Sequence, residues 1–190
     1  MNFHNLHIWS DENPKETRPN SFQRQFSINV WAGIIGDSLM GFIELLPRLN
    51  GDSYLLFIRE ILPPLLENIP LVIRMSMFYM HDDAPPHFAV PVREYLNQRY
   101  PNRWIGRGHD APVKWSPRCP DITPVDFYLW GHLKENVYKT PVHTREELWE
   151  RILAASNEIK QDPQVFHKVQ SSLLRRAHAC IRCSGGLFEH

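Results

Sequence analysis

Two aspartates stand where an ordered element meets a loop, and hard oxygen ligands at such junctions suit divalent-cation chemistry. The first is Asp82 in Tyr79-Met80-His81-Asp82-Asp83-Ala84-Pro85-Pro86-His87. The second is Asp126 in Pro120-Asp121-Ile122-Thr123-Pro124-Val125-Asp126-Phe127. The run from Val72 to Met80 is rich in β-branched, aromatic and other apolar residues and predicts a strand buried on both faces. Asp82 follows at its carboxyl end, the edge of an α/β sheet where ligands gather. Pro85 and Pro86 suit a first helical turn, whose N–H groups have no intrahelical partner. Thr123-Pro124-Val125-Asp126 has the form of a capping box, with hydroxyl at N-cap, proline at N1 and acid at N3. The helix dipole there favours an ionised Asp126.

Both aspartates also have ordinary structural readings, a turn residue and a helix cap. On pattern alone those readings lead. Asp83 and Asp121 are read only that way.

The surrounding words change the balance. The Asp82 segment and Trp115-Ser116-Pro117-Arg118-Cys119-Pro120-Asp121-Ile122-Thr123-Pro124-Val125-Asp126 resemble two motifs of the DDE/D transposases of the mariner superfamily. Those motifs read roughly Gln-Asp-Gly-Ala-Pro-Pro-His and Ser-Pro-Asp-Leu-Thr-Pro-Leu-Asp. Asn29-Val30-Trp31-Ala32-Gly33-Ile34-Ile35, Asn102-Arg103-Trp104-Ile105-Gly106-Arg107-Gly108 and Trp130-Gly131-His132-Leu133-Lys134 are similar to insect members. The likeness covers nearly the whole chain.

The resemblance implies an α/β fold, an RNase H-like mixed sheet flanked by helices. It implies that Asp82 and Asp126 are the second and third members of a catalytic carboxylate triad holding two Mg²⁺ or Mn²⁺ ions. Such paired ions clamp the entering and leaving oxygens of a phosphodiester. The family's first aspartate lies on a central strand ahead of Asn2, so the reading is a single partial domain over residues 1–190, without that strand and without the family's N-terminal helix-turn-helix. A sheet without its middle strand is expected to be compromised by unpaired edges. Asp11 is a weak substitute ligand. Asp83 stands where the family has Gly or Asn, so its extra charge is expected to disturb the metal site.

Three functions follow: a nucleic-acid-binding remnant that does not complete cleavage; an active metal-dependent nuclease or transposase whose third ligand comes from another acid or chain; and a module used for protein contacts. The implied partner is DNA, with a homodimer as the candidate assembly and the nucleus as the compartment. No small-molecule cofactor is expected.

Charge and composition narrow the rest. The 21 Lys+Arg balance 21 Asp+Glu, so nucleic-acid binding must come from local patches. Arg103, Arg107, Lys114 and Arg118, with Arg99, cluster around the loop joining the two motifs, opposed there by Asp110. Beside Trp104 and Trp115 they suit phosphate contact and stacking, or else a solvated loop face. Lys168, Arg175, Arg176 and Arg182 read as a solvated helix face. Three cysteines without a signal-peptide pattern suggest a reducing compartment, and no apolar run is long enough for a membrane. Cys180 and Cys183 beside His178 lack a second ligand pair and read as structural thiols. His4, His7, His81 and His87 read as surface or packing residues; the role of His87 does not follow from its type.

The positioning elements are predicted as strands at Asn2–Trp9, Phe26–Ile35 and Phe42–Leu46, a helix over 51–68 kinked by Pro63-Pro64, and the Val72–Met80 strand. A helix over 88–100, a short strand at Trp104–Ile105, the capped helix after Thr123, and helices over 144–159 and 163–183 complete the order.

Overall fold

The structure, a computed structural model, describes residues 26–115 and 120–184. Strands β1 (Asn29–Ile35) and β2 (Ser38–Leu45) form an antiparallel hairpin. Gly36 turns it with φ +58°, a conformation that glycine adopts without a Cβ penalty. A bulge follows Trp31, so Trp31 pairs with Ile43 while Ala32 pairs with Gly41.

The hairpin is a wall between two cores. One face packs Ala32, Leu39 and Phe42 against Leu129, Leu133, Ile152, Ile159 and Phe166. These come from α5 (Trp130–Val137), the turn before it, α6 (Arg145–Gln161) and α7 (Pro163–Arg182). The other face sends Trp31, Ile35, Met40 and Ile43 toward Tyr54, Phe57, Ile58, Val92, Leu96 and Trp104. That second core is built by α1 (Gly51–Leu56), α2 (Leu62–Leu66), α4 (Val90–Arg99) and a three-stranded parallel sheet. Its strands are β3 (Tyr79–Met80), β4 (Trp104–Gly106) and β5 (Val113–Lys114), in the order β3-β4-β5. The fold is thus mixed α/β, with antiparallel and parallel pairing carried by two separate sheets among the described residues.

Helix ends follow the sequence closely. Asn50 and Ser53 form a reciprocal capping box ahead of α1. Between α1 and α2 the chain winds as a π turn at Phe57–Ile61, and Leu62 N–H reaches back to Phe57 C=O. Pro63 and Pro64 supply no N–H, and the wider turn carries the chain past them without breaking the rod. Thr144 caps α6 by accepting from Glu147 N–H at 3.0 Å, while the Glu147 carboxylate takes His143 N–H at 2.8 Å. Asp162 caps α7 through Gln164 N–H.

One expectation is overturned. The Val72–Met80 run is not one strand: α3 (Leu71–Ser76) is helical, and only Tyr79–Met80 is extended. Val72 is 80 % exposed and Met75 66 %, so the residues read as doubly buried face solvent. The physical reason is pairing. β3 has a ladder on one side alone among the described residues, through Tyr79 N–H to Arg103 C=O and His81 N–H to Ile105 C=O. A helix satisfies the preceding backbone without a second strand. The predicted Asn2–Trp9 strand, Asp11, His4 and His7 lie outside the described residues.

Candidate metal and nucleic-acid site

Asp82 leaves the carboxyl end of β3, one residue beyond His81. Its carboxylate accepts Ala84 N–H at 3.0 Å and lies 2.7 Å from Nδ1 of His87, on the 3₁₀ turn Pro85–Phe88. The His87 hydrogen bond and the Ala84 N–H together outweigh burial and hold the Asp82 carboxyl below the usual range. His87 is the residue whose role the sequence did not disclose: it grips Asp82. A histidine five residues after an acid, across a Pro-Pro turn, was the available signal.

Behind this pair lies an aromatic stack. His81 and His87 rings are parallel, with centroids 4.8 Å apart. Tyr54, from α1, packs 4.2 Å from the His87 ring; its hydroxyl meets Tyr79 Oη at 2.8 Å and His81 Nδ1 at 3.2 Å. His81 is buried, and burial first, then the neighbouring His87, drives its pKa down to about 3. It is therefore a neutral packing residue, as its type suggested. Gly106 lets β4 pass, since a Cβ there would lie 2.4 Å from His81 Nε2.

Asp126 arrives from the other core. Pro120–Ile122 forms a 3₁₀ turn, and Val125–Leu129 winds as a π turn that runs into α5. Val125 packs against the first core and Leu129 is fully buried in it, so the turn is fixed while Asp126 stays exposed. Thr123 C=O accepts both Asp126 N–H and Phe127 N–H. The capping box is incomplete: Thr123 Oγ1 is buried and makes no sound hydrogen bond, although it lies near enough to Asp126 to favour its ionised form.

The Asp126 pKa is raised, first by burial and then by the charge of Asp82. Burial and a like charge thus oppose the helix dipole at Asp126, and Thr123 and Lys134 offset them only in part. The charge of Asp82 therefore acts on Asp126, and of the two carboxylates one is held down and the other pushed up. Among the described residues no third His, Cys, Asp or Glu joins them in a metal-holding group.

Beside Asp82 a groove of about 700 Å³ is lined by Asp83, Gly106, Arg107, Gly108, His109, Lys114 and Trp115. Arg107 and Lys114 thus share one surface. Arg103 does not point there: its guanidinium donates to Met77 C=O at 3.2 Å. Arg118 and Cys119 lie outside the described residues. Asp110 is not the only acid opposing the cluster. It pairs with Arg93, while Asp83 pairs with Arg107 at 3.1 Å. Asp83 is therefore turned toward Arg107 rather than standing free beside the cation site.

Elsewhere, Arg176 is more than a solvated side chain. It covers the Phe127 ring at 4.6 Å and approaches Asp121 Oδ1 at 3.5 Å, tying α7 to the turn that carries Asp126. Asp121 accordingly has the structural role expected of it. Cys180 and Cys183 are free thiols.

Solved structures share this architecture. The Mos1 transposase catalytic domain, in a complex with Raltegravir and Mg, superposes with a TM-score of 0.63 at 19% identity, covering 81% of this chain and 73% of that one. The fold is that of a mariner transposase catalytic domain, RNase H-like. The same mariner-type domain in the Mos1 paired end complex with Mn gives a TM-score of 0.65 at 20% identity, over 95% of this chain and 51% of that chain. Among curated proteins, the human histone-lysine N-methyltransferase SETMAR is 23% identical over 190 residues, which is 95% of this chain. The chain spans 25% of the length of that relative. No family model matches the sequence. Among the described residues no helix is long and apolar enough to cross a membrane.

Proposed function

We propose that the chain is a nucleic-acid-binding remnant of a transposase catalytic domain, keeping a two-carboxylate site for a divalent ion and a basic groove beside it. One observation carries this reading: Asp82, just beyond β3, and Asp126, in the turn before α5, come near enough for the charge of Asp82 to act on Asp126. Folding that forces like charges together is costly unless the pair has a use or a counter-ion.

The residues present fit Mg²⁺ or Mn²⁺ as two hard oxygen donors whose mutual repulsion a cation relieves. Bound there, such an ion supplies an activated water and a clamp on phosphodiester oxygens. The chain's own residues do the rest. His87 and the Ala84 N–H orient Asp82 and keep it ionised, and Lys134 tempers Asp126. Arg107 and Lys114 take the phosphates, while the buried Trp115 walls the groove behind them. Two carboxylate donors by themselves hold such an ion weakly. DNA is the partner and the nucleus the compartment.

The test has three arms. Duplex oligonucleotide binding without metal should weaken steeply with salt, by a slope of about 0.9 per phosphate contacted. Calorimetric titration with Mn²⁺ should show weak binding, abolished by Asp82→Asn and by Asp126→Asn. A Mg²⁺/Mn²⁺ cleavage assay should give no strand nicking. Salt-independent or undetectable DNA binding would sink the reading, whereas cleavage lost in both aspartate variants would make the chain an active endonuclease.

A further inference from the structure

The groove beside Asp82 contains two cations, and they are not equally available. Lys114 has no ion pair among the described residues, while Arg107 is held by Asp83. The Arg107 guanidinium lies over the Phe88 ring at 4.7 Å, and Arg93 lies over the same ring at 4.6 Å. Each arginine is matched by its own aspartate: Arg93 by Asp110, and Arg107 by Asp83. The two pairs differ in depth. Arg93 is almost wholly buried and also donates to Phe88 C=O, so it belongs to the frame. Arg107 is half-exposed and lines the groove.

The Asp83–Arg107 contact also has poor geometry. Asp83 Oδ1 is buried yet forms no proper hydrogen bond, although the Arg107 Nε is 3.1 Å away. The guanidinium lies over the Phe88 ring and makes no well-directed hydrogen bond to this carboxylate, so its N–H groups can serve a better-placed oxyanion. Bidentate partners such as phosphate make better use of them than one carboxylate oxygen off the hydrogen-bond direction.

We propose that Asp83 is an internal competitor for phosphate: its carboxylate sits 3.1 Å from the Arg107 Nε that a nucleic-acid phosphate would engage, and so lowers the affinity of the groove. The inference rests on the nucleic-acid reading above and adds to it the residue that sets binding strength. An incoming phosphate displaces the carboxylate, so part of the gain from each Arg107 contact is spent on breaking the resident pair. Exposed pairs of this kind are weak, so relief of the competition should be modest, about two- to fivefold in affinity.

The experiment is a mutant cycle on duplex DNA of random sequence, read by fluorescence anisotropy in EDTA so that no metal site contributes. Wild type, Asp83→Asn, Arg107→Ala and the double variant are compared over a salt series. Asp83→Asn should tighten binding by about two- to fivefold and steepen the salt dependence by about 0.9, the equivalent of one further phosphate contact. In the Arg107→Ala background the same change should do nothing. Asp83→Gly provides a second variant with no side chain to reach Arg107, and thermal melts establish that each variant is folded. Tightening of equal size with and without Arg107 would overturn the proposal, because Asp83 would then act by general repulsion. Unchanged or weaker binding by Asp83→Asn, with normal wild-type binding, would overturn it and leave the nucleic-acid reading standing. Absence of salt-dependent binding in every protein would remove both.

Discussion

Nδ1 of His87 lies 2.7 Å from Oδ1 of Asp82, across a turn that two prolines hold rigid. The imidazole donates to the carboxylate and so favours its charged form. Removing it by His87→Ala should raise the Asp82 pKa, read by carbon-detected NMR. The folded-state value is depressed, so the associated stability is present above the unfolded pKa and lost as pH falls through the folded one. Acid unfolding of His87→Ala should therefore begin at higher pH than in the wild type. No movement of the Asp82 titration would show that the ring is merely packed there.

Asp126 has the opposite sign. Its folded pKa is raised, so ionising it costs stability; the protein is favoured below the unfolded value, and that advantage is lost as pH rises through the folded one. Asp82→Asn removes one of the two causes, and the Asp126 pKa should fall, leaving the burial contribution in place. An Asp126 titration that ignores Asp82→Asn would mean the two carboxylates are not electrostatic neighbours.

Trp104 holds the floor of the site. It is fully buried on β4, donates Nε1–H to Asn97 Oδ1 at 2.8 Å, and meets the His81 ring edge-on at 5.8 Å. Trp104→Ala should destabilise the fold by about 3–5 kcal/mol in urea denaturation. Trp104→Phe, which keeps much of the packing but not the donor, should cost less and leave Asn97 unpaired.

Gly106 makes room rather than a turn. Gly106→Ala would place a Cβ 2.4 Å from His81 Nε2 and 2.7 Å from the Trp104 ring. Both neighbours are buried and braced, so overpacking should cost about 1–3 kcal/mol, seen as a lowered melting temperature. A neutral result would mean that His81 has somewhere to go.

The motifs carrying Asp82 and Asp126 were legible because each combines a chemical group with a local device: prolines opening a turn, or a hydroxyl before a proline. Helix α6 was legible for a similar reason, through its Thr144-Arg145-Glu146-Glu147 start, and α7 through its recurring apolar residues. What could not be read depends on contacts distant in the chain. The run at 71–76 has strand-like composition, yet composition cannot say whether a ladder partner exists, and without one on its far side the segment coils. Arg103, Arg107 and Lys114 look alike in sequence, but only tertiary placement sends Arg103 to the Met77 carbonyl and the other two into the groove. The sign of the Asp126 shift likewise required knowing how near Asp82 comes. The pairing of Asp83 with Arg107 was equally beyond local reading.

The surplus residue in the wide turn at Val125–Leu129 has a mechanical corollary. Each residue advances a helix by about 100°, so deleting one here and letting the segment relax to ordinary winding would swing everything upstream around the rod while Leu129 and Leu133 stayed anchored. Asp126 would then be carried off its present bearing, and the distance to Asp82 would change without either carboxylate being altered. Aim, in this protein, is set by an extra link in the chain rather than by the side chain that is aimed.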